Sequence, residues 1–120
     1  MSSVKTHKDL DIWKRGTGFV EQIYKTTTSF PKEEIYGLTS QIRRASISYP
    51  SNIAEGAARF SKKEFIQFLY VSLGSLSEVE TQLIIAEKLR YLKADKLLEE
   101  VEALRRMTLN FIKYLKSKNK

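Results

Sequence analysis

Adjacent basic residues recur along this sequence, and their chemistry is that of polyanion binding. Three pairs and one looser cluster are present: Lys14-Arg15, Arg43-Arg44, Arg105-Arg106, and Arg59 with Lys62-Lys63. Arginine offers a planar fork of donors to phosphate oxygens, and lysine offers a point charge. Several such pairs on one surface would bind a polyanion. The alternative is that the pairs are solvated or bonded to nearby acids, Glu102 being the obvious partner for Arg105 and Arg106.

Residues suited to catalysis or metal binding are sparse. His7 is the single histidine and there is no cysteine, so the usual zinc and haem ligand sets cannot be built within one chain. The glycines form neither GxGxxG nor GxxxxGK, and no Gly-x-Ser-x-Gly motif occurs. Helix caps and solvated flanks explain Glu55, Glu64, Glu78 and Glu80 better than general-acid roles do. We therefore expect no enzyme activity, no metal and no cofactor.

Composition and charge describe a small basic globular protein. The 120 residues suit one domain and carry a net charge of +7. The excess is spread along the chain, with +3 from residues 1–60 and +4 from residues 61–120. Such a surface favours nucleic acid, RNA or DNA, as a partner, and simple solubility is the alternative explanation.

Membrane insertion and export are not indicated. The first eight residues contain no apolar stretch of the kind found in signal peptides. The longest run without a charge, Phe65 to Ser77, is far shorter than the roughly 20 residues of a membrane-spanning helix. Together with the absence of cysteine, these features lead us to expect a cytoplasmic protein with no membrane partner.

Four segments with helical periodicity must position the basic pairs. They lie at about residues 10–27, 33–59, 62–89 and 94–115, separated by short connections. Short connections make successive helices antiparallel neighbours. We therefore predict an all-α fold, an antiparallel up-down-up-down four-helix bundle that forms a single domain over residues 1–120.

The predicted core faces follow steps of three and four residues. In the first helix this stripe is Leu10, Trp13, Thr17, Val20, Tyr24 and Thr27. The third helix has a similar stripe and, outside it, further apolar residues such as Tyr70, Val71, Ile84 and Ile85. A helix that is apolar on several sides is either central in its own bundle or covered by another subunit. This surplus predicts a homo-oligomer.

The second helix contains a proline. Periodicity continues across Pro50, which favours one kinked helix, and the alternative is a true break at residues 48–51. Asn52 lies on the apolar stripe, where we expect it to bond to carbonyl groups freed by the kink. Structural roles are accordingly assigned to Trp13, Pro50, Asn52, Glu55 and Gly56, with Asn52 and Glu55 as determinants of the kink.

Several stretches of the sequence, spread over about residues 8–115, resemble the 23S rRNA-intervening sequence proteins, a family of four-helix bundles often labelled S23 ribosomal proteins. The most specific is Pro50-Ser51-Asn52-Ile53-Ala54-Glu55-Gly56 following Gln41-Ile42-Arg43-Arg44-Ala45. The others are residues 9–13, 23–24, 30–31, 34–40 and 74–83. Gly16-Thr17-Gly18 departs from the helix-favouring residues expected there and leaves the contacts of the first helix open.

The resemblance carries expectations about function. Some family members are encoded within insertions in bacterial 23S rRNA genes. The accessory variability proteins of diversity-generating retroelements are similar, and these form basic homopentameric barrels that bind nucleic acid and a reverse transcriptase. By this likeness the chain would form a homo-oligomer, a pentamer, with a positive surface that includes Arg43 and Arg44 and with a reverse transcriptase or ribosomal partner. The family implies no catalytic residues.

The sequence therefore predicts a non-enzymatic, homo-oligomeric, RNA-associated nucleic-acid-binding protein that contacts phosphates through its basic helix surfaces. The alternative hypothesis is a protein-interaction scaffold that does not bind nucleic acid directly.

Overall fold

A computed structural model describes residues 6–118, which form four long helices. These are α1 (Asp11–Thr27), α2 (Leu38–Ala57), α3 (Lys62–Lys88) and α4 (Asp95–Ser117), with short 3₁₀ helices at His7–Asp9 and Lys32–Glu34. Each long helix packs against its neighbours in sequence, and α1 packs against α4, which closes the bundle. The molecule measures 49 × 21 × 20 Å. The predicted all-α four-helix bundle is confirmed.

The core of α3 follows its predicted stripe from Leu69 to Ala86. The sequence pattern of α4 predicts a buried stripe of Leu97, Val101, Leu104, Thr108, Phe111 and Leu115. This stripe is confirmed as far as Thr108, but beyond it Ile112 is buried in place of Phe111. Fully buried residues of α3 include Leu69, Leu76, Val79 and Leu83, and α4 contributes Val101 and Leu104. The off-stripe residues Tyr70, Val71, Ile84 and Ile85 of α3 are exposed instead. None of the described helices is long and apolar enough to span a bilayer.

The core face of α1 differs from the predicted one. The helix buries Ile12, Gly16, Phe19, Ile23 and Thr27, so the predicted stripe is wrong by one position over most of its length. Both sets have helical spacing, and the choice between them is made at Gly16. A Cβ atom there would lie 2.6 Å from Cε2 of Tyr49, so the missing side chain lets α1 approach α2 on this face. Trp13 is only half-buried and meets His7 edge-to-face, with ring centroids 5.1 Å apart.

The start of the second helix also differs. Residues 33–37 were expected to be helical, but α2 begins at Leu38. The preceding segment forms the 3₁₀ helix Lys32–Glu34 and a turn ending at Gly37. Glu34 accounts for the later start, because its carboxylate accepts a 3.0 Å hydrogen bond from the Leu38 N–H and so supplies the helix cap.

The helix is continuous through Pro50, as predicted. Asn52 donates to the carbonyl and the hydroxyl oxygen of Ser48, both at 2.9 Å. The carbonyl that Pro50 leaves without an amide partner is that of Ser46, four residues earlier, so Asn52 does not replace the missing bond. Glu55 lies on the surface and pairs with Arg59, away from the bend it was expected to set.

Gly56, the last residue assigned a structural role, lies at the close crossing of α2 and α3. A Cβ on Gly56 would be 2.7 Å from the Phe68 Cβ atom and 3.2 Å from the Phe65 carbonyl oxygen. No larger residue fits without moving main chain, because one of the atoms met belongs to the backbone. Gly56 therefore fixes how closely the carboxyl end of α2 approaches α3.

Tyr49 connects all four helices. It is fully buried on α2, and its ring covers Gly16 of α1. Its hydroxyl forms a 2.7 Å hydrogen bond with the hydroxyl of Thr108 on α4. Its main-chain carbonyl accepts a 2.9 Å bond from the hydroxyl of Ser72 on α3. The polar groups of this buried residue are thus satisfied by partners on different helices.

Candidate nucleic-acid interface

The nine predicted phosphate-binding cations do not all remain available. Within residues 6–118, the side chains of Lys14, Arg44, Lys63 and Arg106 make no hydrogen bond or ion pair. The other five, Arg15, Arg43, Arg59, Lys62 and Arg105, bond to groups of the protein itself. Each of the three adjacent pairs is therefore divided into one engaged and one unengaged cation.

Arg15 ties α1 to α4. Its Nε and Nη2 atoms donate to the two carboxylate oxygens of Glu100 at 2.7 and 3.0 Å, a bidentate arrangement. This hydrogen-bonded carboxylate raises the pKa of Arg15 above its ordinary value. Lys14, the preceding residue, is exposed. Of this pair, only Lys14 is left for an external phosphate.

Arg43 closes the carboxyl end of α1. Its Nε donates to the Thr27 hydroxyl at 2.8 Å and its Nη2 to the Tyr24 carbonyl at 3.3 Å. The guanidinium carbon lies 4.5 Å from the centre of the Tyr24 ring. The Tyr24 carbonyl also accepts a 2.9 Å bond from the Thr28 hydroxyl, so Arg43 adds a charged donor at the negative end of the helix dipole. The Arg43 side chain therefore stabilises the packing of α2 against the end of α1.

Arg44 lies in a polar groove between α2 and α3. Its neighbours along α2 are Ser40, Gln41 and Ser48, and Glu78 of α3 forms the opposite wall without an ion pair to Arg44. Tyr36, almost wholly exposed, also lines this groove. The groove offers hydrogen-bonding groups and one unengaged cation.

Arg105 is held by acids on two helices. It bonds to Glu80 of α3 at 2.8 Å and also to Glu102 of its own helix. The predicted pairing with Glu102 is present for Arg105. The predicted pairing of Glu102 with Arg106 is not formed, and Arg106 is exposed.

The third basic group, Arg59 with Lys62 and Lys63, is extended by residues that the sequence did not single out. Because the bundle is antiparallel, the carboxyl end of α4 lies beside the start of α3, and the Lys62 ammonium donates to the Lys118 carbonyl. This contact adds α4 lysines to the group. We call the whole the basic end; it consists of Arg59, Lys62, Lys63, Lys113, Lys116 and Lys118.

The basic end carries a strong local charge. In residues 55–64 and 111–118, six cations accompany two carboxylates, Glu55 and Glu64, for a net charge of +4. Lys116 lies in the last turn of α4, which extends past the predicted end at residue 115, and its ammonium donates to the Tyr70 hydroxyl at 3.2 Å. The predicted antiparallel order of the helices is the feature of the sequence from which the position of the α4 lysines in this group could have been inferred.

Apolar side chains are also exposed in two places. The outer face of α3 presents Tyr70, Val71, Ile84 and Ile85, each at least two-fifths exposed. A groove between α1 and α2 is lined only by uncharged residues, namely Trp13, Thr17, Val20, Ile47, Pro50, Ser51 and Ala54. Trp13, Thr17 and Val20 of this groove are three of the α1 residues that were predicted to be core.

Acidic and histidine side chains do not converge on a metal-binding arrangement. Over residues 6–118, no three of them lie close enough together to hold an ion.

Comparisons with known proteins give a family and a fold. The sequence model of the 23S rRNA-intervening sequence protein family matches residues 8–110. A crystal structure from Bacteroides thetaiotaomicron, of a protein with unknown function from the S23 ribosomal protein family, is similar with a TM-score of 0.76. That match covers 85% of this chain and 95% of the other at 19% identity, so it shows a shared fold. No curated protein matches the sequence.

Proposed function

The chain belongs to the 23S rRNA-intervening sequence protein family, and from this membership we propose that it is a non-enzymatic, RNA-associated protein that binds nucleic acid through phosphate contacts. The proposal assigns it no catalytic residue and no cofactor, and it places the protein in the cytoplasm with RNA.

The observation that carries the proposal is the basic end. Its cations come from three helix ends and accompany only two carboxylates, Glu55 and Glu64. Arg59 is paired with Glu55, whereas Lys63 and Lys113 have no partner among the described residues. Such a local excess attracts the phosphate backbone and releases its counterions on binding. Lys14, Arg44 and Arg106 would add single contacts elsewhere on the surface.

Self-association is the second part of the proposal. The exposed apolar residues of α3 and the uncharged groove between α1 and α2 are surfaces that a second copy of the chain would cover. A closed ring would repeat the basic end in every subunit, which increases the affinity for a long polyanion by multivalency. A pentamer is the number that the family resemblance suggests.

The alternative function is a protein-interaction scaffold, with a polymerase such as a reverse transcriptase, or a ribosomal protein, as partner. The uncharged groove favours it, because seven lining residues without a charge suit an apolar partner surface. The dependence of binding on salt concentration distinguishes the two functions. Phosphate contacts weaken steeply as salt rises, whereas apolar docking does not.

The test is binding of a labelled structured RNA, and of a DNA duplex of matched length, at several salt concentrations. The diagnostic variant is Lys63→Glu with Lys113→Glu, which reverses the two unpartnered cations of the basic end. The matched control is Lys88→Glu with Lys93→Glu, which reverses two exposed lysines without a side-chain partner at the opposite end of the bundle, in the last turn of α3 and in the connection to α4.

The proposal predicts tight binding that falls steeply with salt. It also predicts that only the basic-end variant loses about one unit of salt slope per lost phosphate contact. Equal losses in both double variants would mean that net charge, not the basic end, governs binding. No binding by the wild-type chain at low salt would reject the proposal in favour of the scaffold. Sedimentation at micromolar concentration tests self-association, and a persistent monomer would reject the ring.

A further inference from the structure

Phe60 is the most exposed large apolar side chain of the described protein. It lies in the connection between α2 and α3, directly after Arg59 and before Ser61, and its side chain is fully exposed. A phenylalanine side chain in water forgoes the stabilisation that its burial would contribute. It is placed in the middle of the basic end, two residues from Lys62.

The other aromatic rings of this end are already in contact. Phe65 meets Phe111 edge-on, with centroids 5.6 Å apart, and Phe111 stacks on Tyr114. The remaining rings are covered by cations, as Arg59 lies over Phe68, Lys116 over Tyr70 and Lys118 over Tyr114. Over residues 6–118, Phe60 has neither a ring partner nor a cation partner. Its two faces are open.

The connection that carries Phe60 is fixed by hydrogen bonds on both sides. The Ala58 N–H donates to the Ala54 carbonyl at 3.2 Å, and the Arg59 N–H donates to the Gly56 carbonyl at 3.1 Å. On the other side, the Ser61 hydroxyl accepts from the Glu64 N–H at 3.1 Å and caps α3. The ring is therefore held outward by an ordered turn, a preorganised arrangement that lowers the entropy cost of binding.

Two lysines follow Phe60 within three residues, at the start of α3. Lys63 has no partner in the described chain, and Lys62 bonds only to a main-chain carbonyl, so neither charge is neutralised by a carboxylate. An open aromatic face beside unneutralised cations is the combination that binds single-stranded nucleic acid, since the ring stacks on a base and the cations contact adjacent phosphates. Bases inside a duplex have both faces covered by their neighbours, so only unpaired bases can accept the ring.

We propose that Phe60 stacks on an unpaired base of RNA while Lys62 and Lys63 contact the flanking phosphates. The inference rests on the proposed function and specifies its ligand as RNA with unpaired nucleotides. A lipid surface fits the observations less well. One ring buries little area, and its exposed neighbours Arg59, Ser61 and Lys63 are polar, whereas interfacial membrane segments present a continuous apolar face.

The test compares three variants of the full-length chain on three probes. Phe60→Ala removes the ring, Phe60→Leu keeps apolar bulk without an aromatic face, and Phe60→Trp keeps the aromatic face. The probes are an RNA hairpin with an unpaired loop, a blunt RNA duplex with the same stem, and vesicles containing anionic lipid. Because Phe60 is fully exposed, all three variants keep the fold, which circular dichroism verifies.

The expected result is that Phe60→Ala and Phe60→Leu bind the loop RNA about 10- to 100-fold more weakly than wild type, while Phe60→Trp binds as well. Duplex binding and the salt slope stay unchanged, because no phosphate contact is removed. If Phe60→Ala or Phe60→Leu matched wild type on the loop RNA, stacking would be rejected while phosphate binding stood. An effect confined to vesicles would replace RNA by a membrane. Failure of the wild-type chain to bind any RNA at low salt would remove both proposals.

Discussion

Gly16 of α1 lies directly against the ring of Tyr49 on α2, so closely that an added Cβ would be 2.6 Å from Cε2 and 2.8 Å from Cδ2. The tyrosine cannot move aside freely, because its hydroxyl and its carbonyl are bonded to α4 and α3. The absence of a side chain at residue 16 is thus a condition for the packing of all four helices around Tyr49.

Two neighbouring glycines should respond oppositely to alanine. We expect Gly16→Ala to destabilise the fold by about 1–3 kcal/mol, the usual effect of forcing extra volume into a packed core. Gly18→Ala should stabilise it by up to about 1 kcal/mol, since alanine favours helix and a Cβ at Gly18 meets nothing within 4 Å. Urea unfolding of both variants measures the difference. Equal effects at the two positions would contradict the close approach at Gly16.

Alkaline conditions should weaken the fold through Tyr49. Burial raises the pKa of Tyr49 to about 12 from an ordinary value of 10, against a smaller opposing effect of the Thr108 hydroxyl. The folded state therefore favours the neutral phenol. Its contribution to stability is complete below pH 10 and is lost as pH rises toward 12.

The variant Tyr49→Phe removes the titrating hydroxyl and so isolates its effect on stability at alkaline pH. We expect Tyr49→Phe to lose about 1 kcal/mol at neutral pH, through the missing hydrogen bond to Thr108. Its unfolding free energy should then decline less than that of wild type between pH 10 and 12. Urea titrations across this range supply the comparison, and parallel curves would show that Tyr49 is not the titrating group.

Acid should weaken the cap of α2. Glu34 accepts from the Leu38 N–H at 3.0 Å and from the Tyr91 hydroxyl at 2.9 Å, and these bonds lower the pKa of Glu34, the backbone bond having the larger effect. The stabilisation is therefore present at neutral pH and is lost as pH falls through this depressed pKa. Glu34→Gln should show a shallower loss of stability on acidification than wild type. Thermal unfolding from pH 7 to pH 3 tests this, and an unchanged slope would argue against the cap.

Substitution of Arg43 should affect the stability of the fold, whereas substitution of Arg44 should affect RNA binding. Arg43→Ala should destabilise the fold by about 1–2 kcal/mol, because its bonds to Thr27 and the Tyr24 carbonyl are lost. Arg44→Ala should change stability by less than about 0.5 kcal/mol, as expected for an exposed residue without partners. On the proposed function, Arg44→Ala alone reduces RNA affinity and lowers the salt slope by about one unit. The reverse pattern would show that Arg43 is the phosphate ligand.

The sequence predicts helices well where one face alone is apolar or where a local motif marks an end. The α4 stripe through Val101 and Leu104 is of the first kind. Periodicity alone also predicted that α2 continues through Pro50. It fails for α1, since Trp13 and Val20 make as good an apolar stripe as Ile12 and Phe19. A glycine contributes nothing to a hydrophobic pattern, so the pattern cannot reveal a face that is buried because it contains a glycine. In α1 the contact of Gly16 with Tyr49 determines that the face of Ile12 and Phe19 is the buried one.

The candidate interface shows the same limit. A partner three or four residues away can be inferred from spacing, as Glu102 was for Arg105. Partners distant in sequence cannot, and Glu100 for Arg15 is of that kind. Likewise, the α4 lysines join the basic end only through the packing of α4 beside α3, which no local pattern of charges reveals.

The division of each adjacent basic pair has an evolutionary consequence. Lys14, Arg44 and Arg106 can be exchanged without disturbing the bonds that hold the helices, whereas Arg15, Arg43 and Arg105 cannot. Selection can therefore change what the surface attracts, one codon at a time, while the neighbouring codon remains constrained. Related genes should diverge at positions 14, 44 and 106 in step with their ligands, and drift there would leave the bundle intact.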